Sequence, residues 1–214
     1  MQLKNPPYLQ VALDLIYEKD VERIVSEIPQ SSQILLEAGT PLIKSLGISI
    51  VKKLKEYQPN AYIIADMKTL DVGEIEVFIA DTQKANAVAI SGLASLDTIE
   101  SSLRAGKSMS IDIILDLMNV NDPMSLLGQL SRIPEIILFH RGIDQEGNME
   151  HPWEDISEIK TKYIDTLVAV AGGLNLQTSS KALDNGADII VIGRAITQST
   201  NISESVQKFL DILN

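Results

Sequence analysis

Cysteine is absent from this chain of 214 residues. Its absence excludes disulfide bonds, zinc–thiolate sites, iron–sulfur clusters and a cysteine nucleophile. Histidine is almost as rare, so His140 and His151 are the only candidates for imidazole chemistry. Aromatic residues make up only 4% of the chain. No apolar run approaches the roughly 18 residues that a membrane-spanning helix needs.

Positive charge is also scarce. The 18 lysines and arginines are outnumbered by 29 aspartates and glutamates, which leaves a formal net charge of −11. This balance disfavours bulk attraction to nucleic acid or to an anionic membrane. Residues 1–8 are polar, contain Pro6-Pro7 and lack the apolar segment of a secretory signal. We therefore expect a cytoplasmic protein without nucleic-acid or membrane partners.

The chain does contain enough apolar residues, 45% of the total, to form a substantial core. Eight short runs rich in Val, Ile and Leu begin roughly 22 to 31 residues apart, the length of a strand, a helix and two turns. The runs are continuously apolar, which is typical of parallel strands covered on both faces. They span residues 9–14, 33–37, 61–66, 87–90, 111–116, 135–140, 166–171 and 188–193.

Segments with helical periodicity lie between these runs, for example at 21–28, 48–54, 96–103 and 205–213. The alternation of eight strands with about eight helices predicts a (β/α)8 TIM barrel, formed as a single domain over residues 1–214. An open doubly wound sheet is the alternative. The barrel is favoured because no unit is missing, no long linker divides the chain, and no glycine fingerprint follows the first strand.

Polar residues end five of the first six strand runs. Because active sites of TIM barrels lie at the C-terminal ends of the strands, these residues are candidates for a catalytic site. Any single acid among them is explained equally well as a helix cap, but the set as a whole favours an active site. Its members are Asp14, Glu37, Asp66, Asp116 and His140.

The densest cluster of charge follows the third strand, where Asp66, Lys68 and Asp71 lie within six residues. Flanking carboxylates keep an ammonium protonated and fixed in position. Such a cation can stabilise negative charge that develops on a substrate. The alternative interpretation is a solvated surface salt bridge.

Glycines follow the last two strands, as Gly172-Gly173 and as Gly193 before Arg194. In TIM barrels the corresponding loops often bind phosphate through backbone N–H groups. Arg194 offers an additional bidentate contact to a phosphate. The alternative is a pair of tight turns with Arg194 on the surface.

These motifs together resemble the orotidine 5′-monophosphate decarboxylase suprafamily and, within it, the 3-hexulose-6-phosphate synthases. The resemblance implies the same barrel. It also implies a reversible, magnesium-dependent aldol reaction that joins formaldehyde to D-ribulose 5-phosphate through a metal-stabilised enediolate, giving 3-hexulose 6-phosphate. The similar stretches lie within about residues 9–200 and comprise 9–14, 37–44, 64–76, 116–122, 140–145, 170–174 and 191–197.

The resemblance implies a role for each matched residue. Glu37 and Asp66 would bind Mg²⁺, a metal that prefers oxygen ligands and retains open positions. Lys68 would add positive charge beside the metal. His140 would be the base that removes the C1 proton. The other matched residues would contact the substrate: Asp14 at its hydroxyls, Asp116 near the reacting carbons, and Gly172, Gly173, Gly193 and Arg194 at the phosphate.

The resemblance further implies a homodimer with shared active sites, in which Asp71 reaches into the partner's site. The sister family, the 3-keto-L-gulonate-6-phosphate decarboxylases, is an alternative. Asp116, Ile143 and Ala171 resemble the synthases, whereas Arg141 resembles the decarboxylases. Orotidine monophosphate decarboxylase fits less well, since Glu37 and His140 would lack roles. A third alternative is a barrel that binds a phosphosugar or a partner without catalysis.

Three residues near these motifs have simpler interpretations. His151 lies beside Pro152-Trp153 and is expected to be structural or exposed. Met67 and Met118 are expected to be packing residues.

Overall fold

The computed structural model describes residues 3–142, 144 and 151–213. Its strands coincide closely with the apolar runs of the sequence. They are Tyr8–Leu13 (β1), Ile34–Ala38 (β2), Tyr62–Thr69 (β3), Ala87–Ser91 (β4), Asp112–Asp116 (β5), Ile136–His140 (β6), Leu167–Ala171 (β7) and Ile189–Ile192 (β8).

The eight strands form a closed parallel barrel in sequence order. Each strand pairs with its successor, and β1 also pairs with β8, where Leu9 lies opposite Ile190. The predicted (β/α)8 barrel is therefore confirmed, and the open doubly wound sheet is excluded.

Helices follow the strands and cover the outside of the barrel. Within the described residues they are Glu18–Glu27 (α1), Thr40–Leu46 (α2), Ile50–Tyr57 (α3), Gly73–Thr82 (α4), Leu96–Met109 (α5), Pro123–Gly128 (α6), Trp153–Lys162 (α7), Leu176–Asp184 (α8), Arg194–Thr197 (α9) and Ile202–Asp211 (α10). None of these helices is long and apolar enough to cross a membrane.

The segment between β2 and β3 contains two helices, where the sequence pattern predicted only one. Gly47 separates them with a φ of +79°, and its N–H donates to the carbonyl of Ile43 at the end of α2. Glycine adopts this positive φ without the steric penalty of a side chain, so α2 ends there and α3 can start in a new direction.

Alternate residues of each strand point into the barrel or outward to the helices. On β1, Leu9, Val11 and Leu13 pack in the outer layer with the helices. Tyr8 and Ala12 belong instead to the core inside the barrel. Two separate apolar layers explain why the strands are continuously hydrophobic. The same alternation decides which side chains at the strand ends face the barrel axis.

Candidate active site

A cavity of about 720 Å³ opens at the C-terminal ends of the strands. Its lining includes every predicted site residue except Asp71 and Asp116, and Asp116 contacts two of the lining side chains. Side chains alternate between the two faces of a strand, which explains this convergence. Glu37, Asp66 and His140 occupy inward-facing positions of β2, β3 and β6, so their side chains point into the cavity. We call the charged residues from β1 to β6 the acidic side: Asp14, Glu37, Asp66, Lys68, Asp116 and His140.

Lys68 lies at the centre of the acidic side. Its Nζ donates to Asp66 Oδ2 and to Asp116 Oδ2, both at 2.9 Å. Burial by itself would lower the pKa of Lys68, but the two carboxylates outweigh burial and raise it. Lys68 is therefore a fixed cation, and the interpretation as a solvated surface salt bridge is wrong.

The backbone at Lys68 is unusual for a strand. Its φ is +46°, in the left-handed region that non-glycine residues seldom adopt. The pairing register between β3 and β4 also shifts between Ala65 and Thr69. A shift of this kind redirects side chains. At Lys68 it accompanies the placement of the ammonium between carboxylates from two strands.

His140 and Asp116 form a second contact on the acidic side. His140 Nδ1 lies 2.9 Å from Asp116 Oδ2. Burial favours a higher pKa for Asp116, but the hydrogen bond to His140 and the charge of Lys68 prevail and lower its pKa to about 2. An ionised Asp116 accepts the Nδ1 proton, so Nε2 of His140 is the nitrogen available for proton transfer.

Glu37 and Asp66, the predicted metal ligands, are both buried on the adjacent strands β2 and β3. Gln10 Nε2 donates to Glu37 Oε2 at 2.5 Å, and Thr40 Oγ1 donates to Asp66 Oδ2 at 2.7 Å. Burial, followed by repulsion from Asp66 and Asp14, raises the pKa of Glu37 to about 8. This part of the cavity thus holds more carboxyl groups than the charge of Lys68 alone can keep ionised.

A divalent cation fits this donor set. Among the described residues, no group of three or more acidic or histidine side chains is arranged so that it could hold a metal ion. Magnesium, however, is commonly held by one or two carboxylates, with water and substrate oxygens as its other ligands. Glu37 and Asp66 supply two such carboxylates, and a cation there would relieve the repulsion that raises the pKa of Glu37.

Asp14 reaches the cavity because Gly39 leaves room for it. A Cβ on Gly39 would lie 2.1 Å from Asp14 Oδ1. Although Asp14 is accessible to solvent, the walls of the cavity limit its hydration. This desolvation and the nearby charge of Asp66 raise its pKa. Arg194 lies close enough to oppose that rise. The steric requirement at Gly39 was not recognised from the sequence.

The part of the mouth that follows β7 and β8, which we call the glycine side, comprises Gly172, Gly173, Gly193 and Arg194. Gly172 and Gly173 follow β7 with φ values of +102° and +62°. Gly193 follows β8 and directly precedes α9, whose first residue is the exposed Arg194. All four residues line the cavity, so both predicted glycine turns share it with the acidic side.

Asp71 lies apart from this cavity on an exposed loop, where its Oδ1 accepts a hydrogen bond from the N–H of Val72. A contribution of Asp71 to a site on another subunit stays a prediction. Ile143, which distinguished the two sister families, lies outside the described residues. His151 is buried, so of the two predicted environments the exposed one is wrong.

Several cavity residues were not predicted from the sequence. Gln10 had a weak signal, as a polar residue inside an apolar strand run. Thr40 had none, because its partner Asp66 is 26 residues away along the chain. Met118 lines the cavity, whereas Met67 packs against the core as expected. The other unpredicted lining residues include Lys44, Arg141 and Gln198.

Closure of the barrel and a charged cavity at the C-terminal strand ends define the class of this protein as a TIM barrel with the site architecture of barrel enzymes. A model of the orotidine 5′-phosphate decarboxylase / HUMPS family matches residues 7–209. The chain belongs to this family, which confirms the resemblance seen in its motifs.

Two individual proteins of known name are similar to this chain. The bifunctional enzyme Fae/Hps of Methanothrix thermoacetophila is 45% identical over 213 residues, covering 100% of this chain and 54% of the relative. The chain thus spans about half the length of the curated relatives it matches. The 3-hexulose-6-phosphate synthase from Salmonella typhimurium is 26% identical, with a TM-score of 0.88 and coverage of 96% of this chain and 98% of that chain.

A second solved structure shares the fold alone. The 3-keto-L-gulonate-6-phosphate decarboxylase from Vibrio cholerae superposes with a TM-score of 0.78 at 20% identity, covering 98% of each chain.

Proposed function

We propose that this protein catalyses the reversible aldol addition of formaldehyde to D-ribulose 5-phosphate, giving 3-hexulose 6-phosphate. The observation that carries the proposal is the continuous contact from His140 through Asp116 and Lys68 to Asp66, which places a base and a fixed cation in one cavity. The likeness to the Salmonella typhimurium synthase supports this choice over other reactions of the family.

The proposed reaction begins at C1 of the ketose. His140 Nε2 takes a C1 proton, while Asp116 holds the ring through Nδ1 and stabilises the imidazolium that forms. The C1 carbon then forms a bond to the formaldehyde carbon. The former formaldehyde oxygen gains a proton, which His140 returns, so atoms and charge balance.

Lys68 contributes electrostatically. Its ammonium is held between two carboxylates and needs no reorientation when negative charge develops on the substrate oxygens. Glu37 and Asp66 would hold Mg²⁺, whose chemistry when bound is to polarise the ketose carbonyl as a Lewis acid. Asp14 lies beside this cluster and is proposed to accept hydrogen bonds from substrate hydroxyls.

The glycine side is proposed to bind the phosphate. A chain with net charge −11 does not attract an anionic substrate as a whole, so local donors must do so. Backbone N–H groups of the two glycine turns and the guanidinium of Arg194 are donors of the required kind. Distant surface charge should therefore matter far less than these residues.

The assay that tests this proposal uses purified protein, ribulose 5-phosphate, formaldehyde and Mg²⁺. We expect formaldehyde consumption that stops when the metal is chelated. Release of carbon dioxide from 3-keto-L-gulonate 6-phosphate without formaldehyde consumption would identify a decarboxylase instead. Binding without turnover of either substrate would identify a non-catalytic barrel.

A second experiment isolates the proposed base. His140→Asn should abolish exchange of the C1 proton of ribulose 5-phosphate with solvent and leave metal-dependent substrate binding largely intact. Exchange at the wild-type rate would remove His140 from this role.

We also propose a homodimer with shared sites. Large apolar side chains are more than half exposed on and beside α4, and Asp71 lies directly between two of them. A second copy of the chain would cover this surface and bring Asp71 to the interface. The exposed residues are Leu70, Val72, Ile75, Phe78 and Leu93.

Mixing inactive variants tests the shared site. Asp71→Ala and Lys68→Ala each disable a different contribution, so mixed dimers should regain activity in one of their two sites. Failure to regain activity, despite subunit exchange confirmed by mass spectrometry, would argue against sharing.

A further inference from the structure

The carbonyl of Gly172 accepts two side-chain hydrogen bonds. Arg141 Nη2 donates to it at 3.0 Å from the residue after β6. His151 Nε2 lies 2.9 Å away from it, two residues before α7. A carbonyl oxygen only accepts, so Nε2 must carry the proton. Neither side chain has a part in the proposed reaction.

Because of the geometry of the peptide bond, these two contacts also constrain the direction of the N–H of Gly173 on the glycine side. In a trans peptide, the C=O of one residue and the N–H of the next point in opposite directions. Holding the carbonyl of Gly172 toward Arg141 and His151 therefore directs the N–H of Gly173 the other way. Gly173 lines the cavity, and we infer that its N–H faces the surface that we propose to receive the phosphate.

The close approach of Gly172 to β6 makes this arrangement specific. A Cβ at Gly172 would lie 2.0 Å from the backbone oxygen of Arg141. The N–H of Arg141 also donates to the carbonyl of Ala171 at 3.1 Å. The turn is thus held against the end of β6, and the donors that reach the carbonyl of Gly172 come from that side.

The His151 ring is itself supported. It packs against Trp153 with ring centroids 5.1 Å apart, and Lys181 Nζ lies 4.8 Å from the centroid of the Trp153 ring. Lys181 belongs to α8, the helix that follows the Gly172–Gly173 turn. Desolvation, together with the charge of Arg141, lowers the pKa of His151, which favours a neutral ring near pH 7.

We propose that Arg141 and His151 are positioning residues that orient the Gly172–Gly173 peptide so that the N–H of Gly173 faces the substrate phosphate. The inference rests on the proposed phosphate contact at Gly173 and adds two residues that act through the turn. It also gives a role to Arg141, the residue at which the sequence departs from the synthase pattern.

His151 is the sharper residue to test. Arg141 lines the cavity, so replacing it also changes the cavity wall, whereas His151 is not among the described lining residues. His151→Leu removes the donor, and His151→Gln restores an N–H donor at a similar reach. Inorganic phosphate serves as the probe. Its binding is measured by calorimetry and by the shift of the amide NMR resonance of Gly173.

We expect wild-type protein to bind phosphate with a shift of the Gly173 resonance, and His151→Leu to bind it about tenfold more weakly. His151→Gln should recover most of the affinity. In the aldol assay, His151→Leu should raise KM for the phosphosugar with a smaller change in kcat. Arg141→Lys should likewise retain more affinity than Arg141→Met.

Thr166→Val is the matched control. Thr166 is buried just before β7, at the end of the strand opposite to the Gly172–Gly173 turn. Its Oγ1 donates to the carbonyl of Pro134 at 2.7 Å. This variant loses a comparable hydrogen bond far from the cavity, so its stability should fall while phosphate affinity and KM stay unchanged.

Two results would overturn the proposal. One is a His151→Leu variant that binds phosphate as tightly as the wild type and loses only as much stability as the control Thr166→Val. The other is a Gly173 resonance that does not respond to phosphate in the wild type. The phosphate titration needs no turnover, so a protein that fails the aldol assay and still shows the tenfold effect would retain this inference and lose the proposed function.

Discussion

The acidic side and the glycine side of the cavity obtain their chemistry from different parts of the chain. On the acidic side, charged side chains from several strands contact one another, as Lys68 contacts Asp66 and Asp116. On the glycine side, the proposed donors apart from Arg194 are backbone groups, and at Gly172 and Gly173 their direction depends on positive φ values that glycine adopts readily. In the proposed reaction, catalytic charge thus depends on which side chains are present, whereas phosphate binding depends on backbone conformation together with Arg194.

This contrast predicts that substitutions on the acidic side and on the glycine side impair different properties of the protein. Lys68→Met should give the largest effect, a fall of about a thousandfold in kcat, because a preorganised cation is lost from the reacting centre. Steady-state assay of the aldol reaction measures it. Lys52→Met, an equal change of charge on the exposed face of α3, is the control and should keep wild-type kcat. A similar loss in both variants would mean that charge alone, rather than its position, matters.

Gly172→Ala should damage the glycine side through the backbone. The added Cβ meets the backbone oxygen of Arg141 at 2.0 Å, and the φ of +102° is strained for alanine. We expect a loss of about 3 kcal/mol in the free energy of unfolding, measured with urea. Gly128→Ala, whose Cβ meets no atom within 4 Å, should change stability by no more than about 1 kcal/mol. Equal stability of the two variants would contradict this account.

Glu37 should make the acidic side sensitive to pH. Its pKa rises from 4.5 to about 8 in the folded, metal-free protein. Between these values the folded state keeps a proton that the unfolded state releases, so stability should fall as pH rises from about 4.5 to about 8. Urea unfolding of metal-free protein at several pH values measures this slope.

Glu37→Gln should flatten the pH slope, whereas Glu56→Gln on the exposed face of α3 should retain it. Saturating Mg²⁺ should also reduce the slope in the wild type, because a bound cation favours the ionised carboxylate. An unchanged slope in Glu37→Gln would show that other groups cause it.

The smallest expected effect concerns the helix after the glycine turn. The side chain of Asn175 accepts a hydrogen bond from the N–H of Thr178, and the Thr178 side chain bonds back to the N–H of Asn175. Asn175→Ala should lower stability by about 1 kcal/mol, seen as a lower Tm. Gln177→Ala, an exposed change in the same first turn, should leave Tm nearly unaltered. Loss of phosphate affinity in Asn175→Ala would show that this cap also supports the glycine side.

The residues that were predicted share a local signal. Glu37, Asp66, Asp116 and His140 each end an apolar run, so a polar residue stands out against its neighbours. Lys68 was found because it lies two residues from Asp66. Thr40 and Gly39 gave no such signal, because their importance comes from Asp66 and Asp14, which other loops bring to them.

Local patterns in the sequence were sufficient to predict the eight strands and to favour the barrel, since strand and helix periodicities involve residues close along the chain. The alternation of side chains along each strand then placed the strand-end acids toward the barrel axis. Tertiary structure alone decided which of them meet. Lys68 and Asp116 are 48 residues apart, and Arg141 and Gly172 are 31 apart. Contacts at such separations form only when the closed barrel brings the ends of these strands together around one cavity, and no local pattern encodes their geometry.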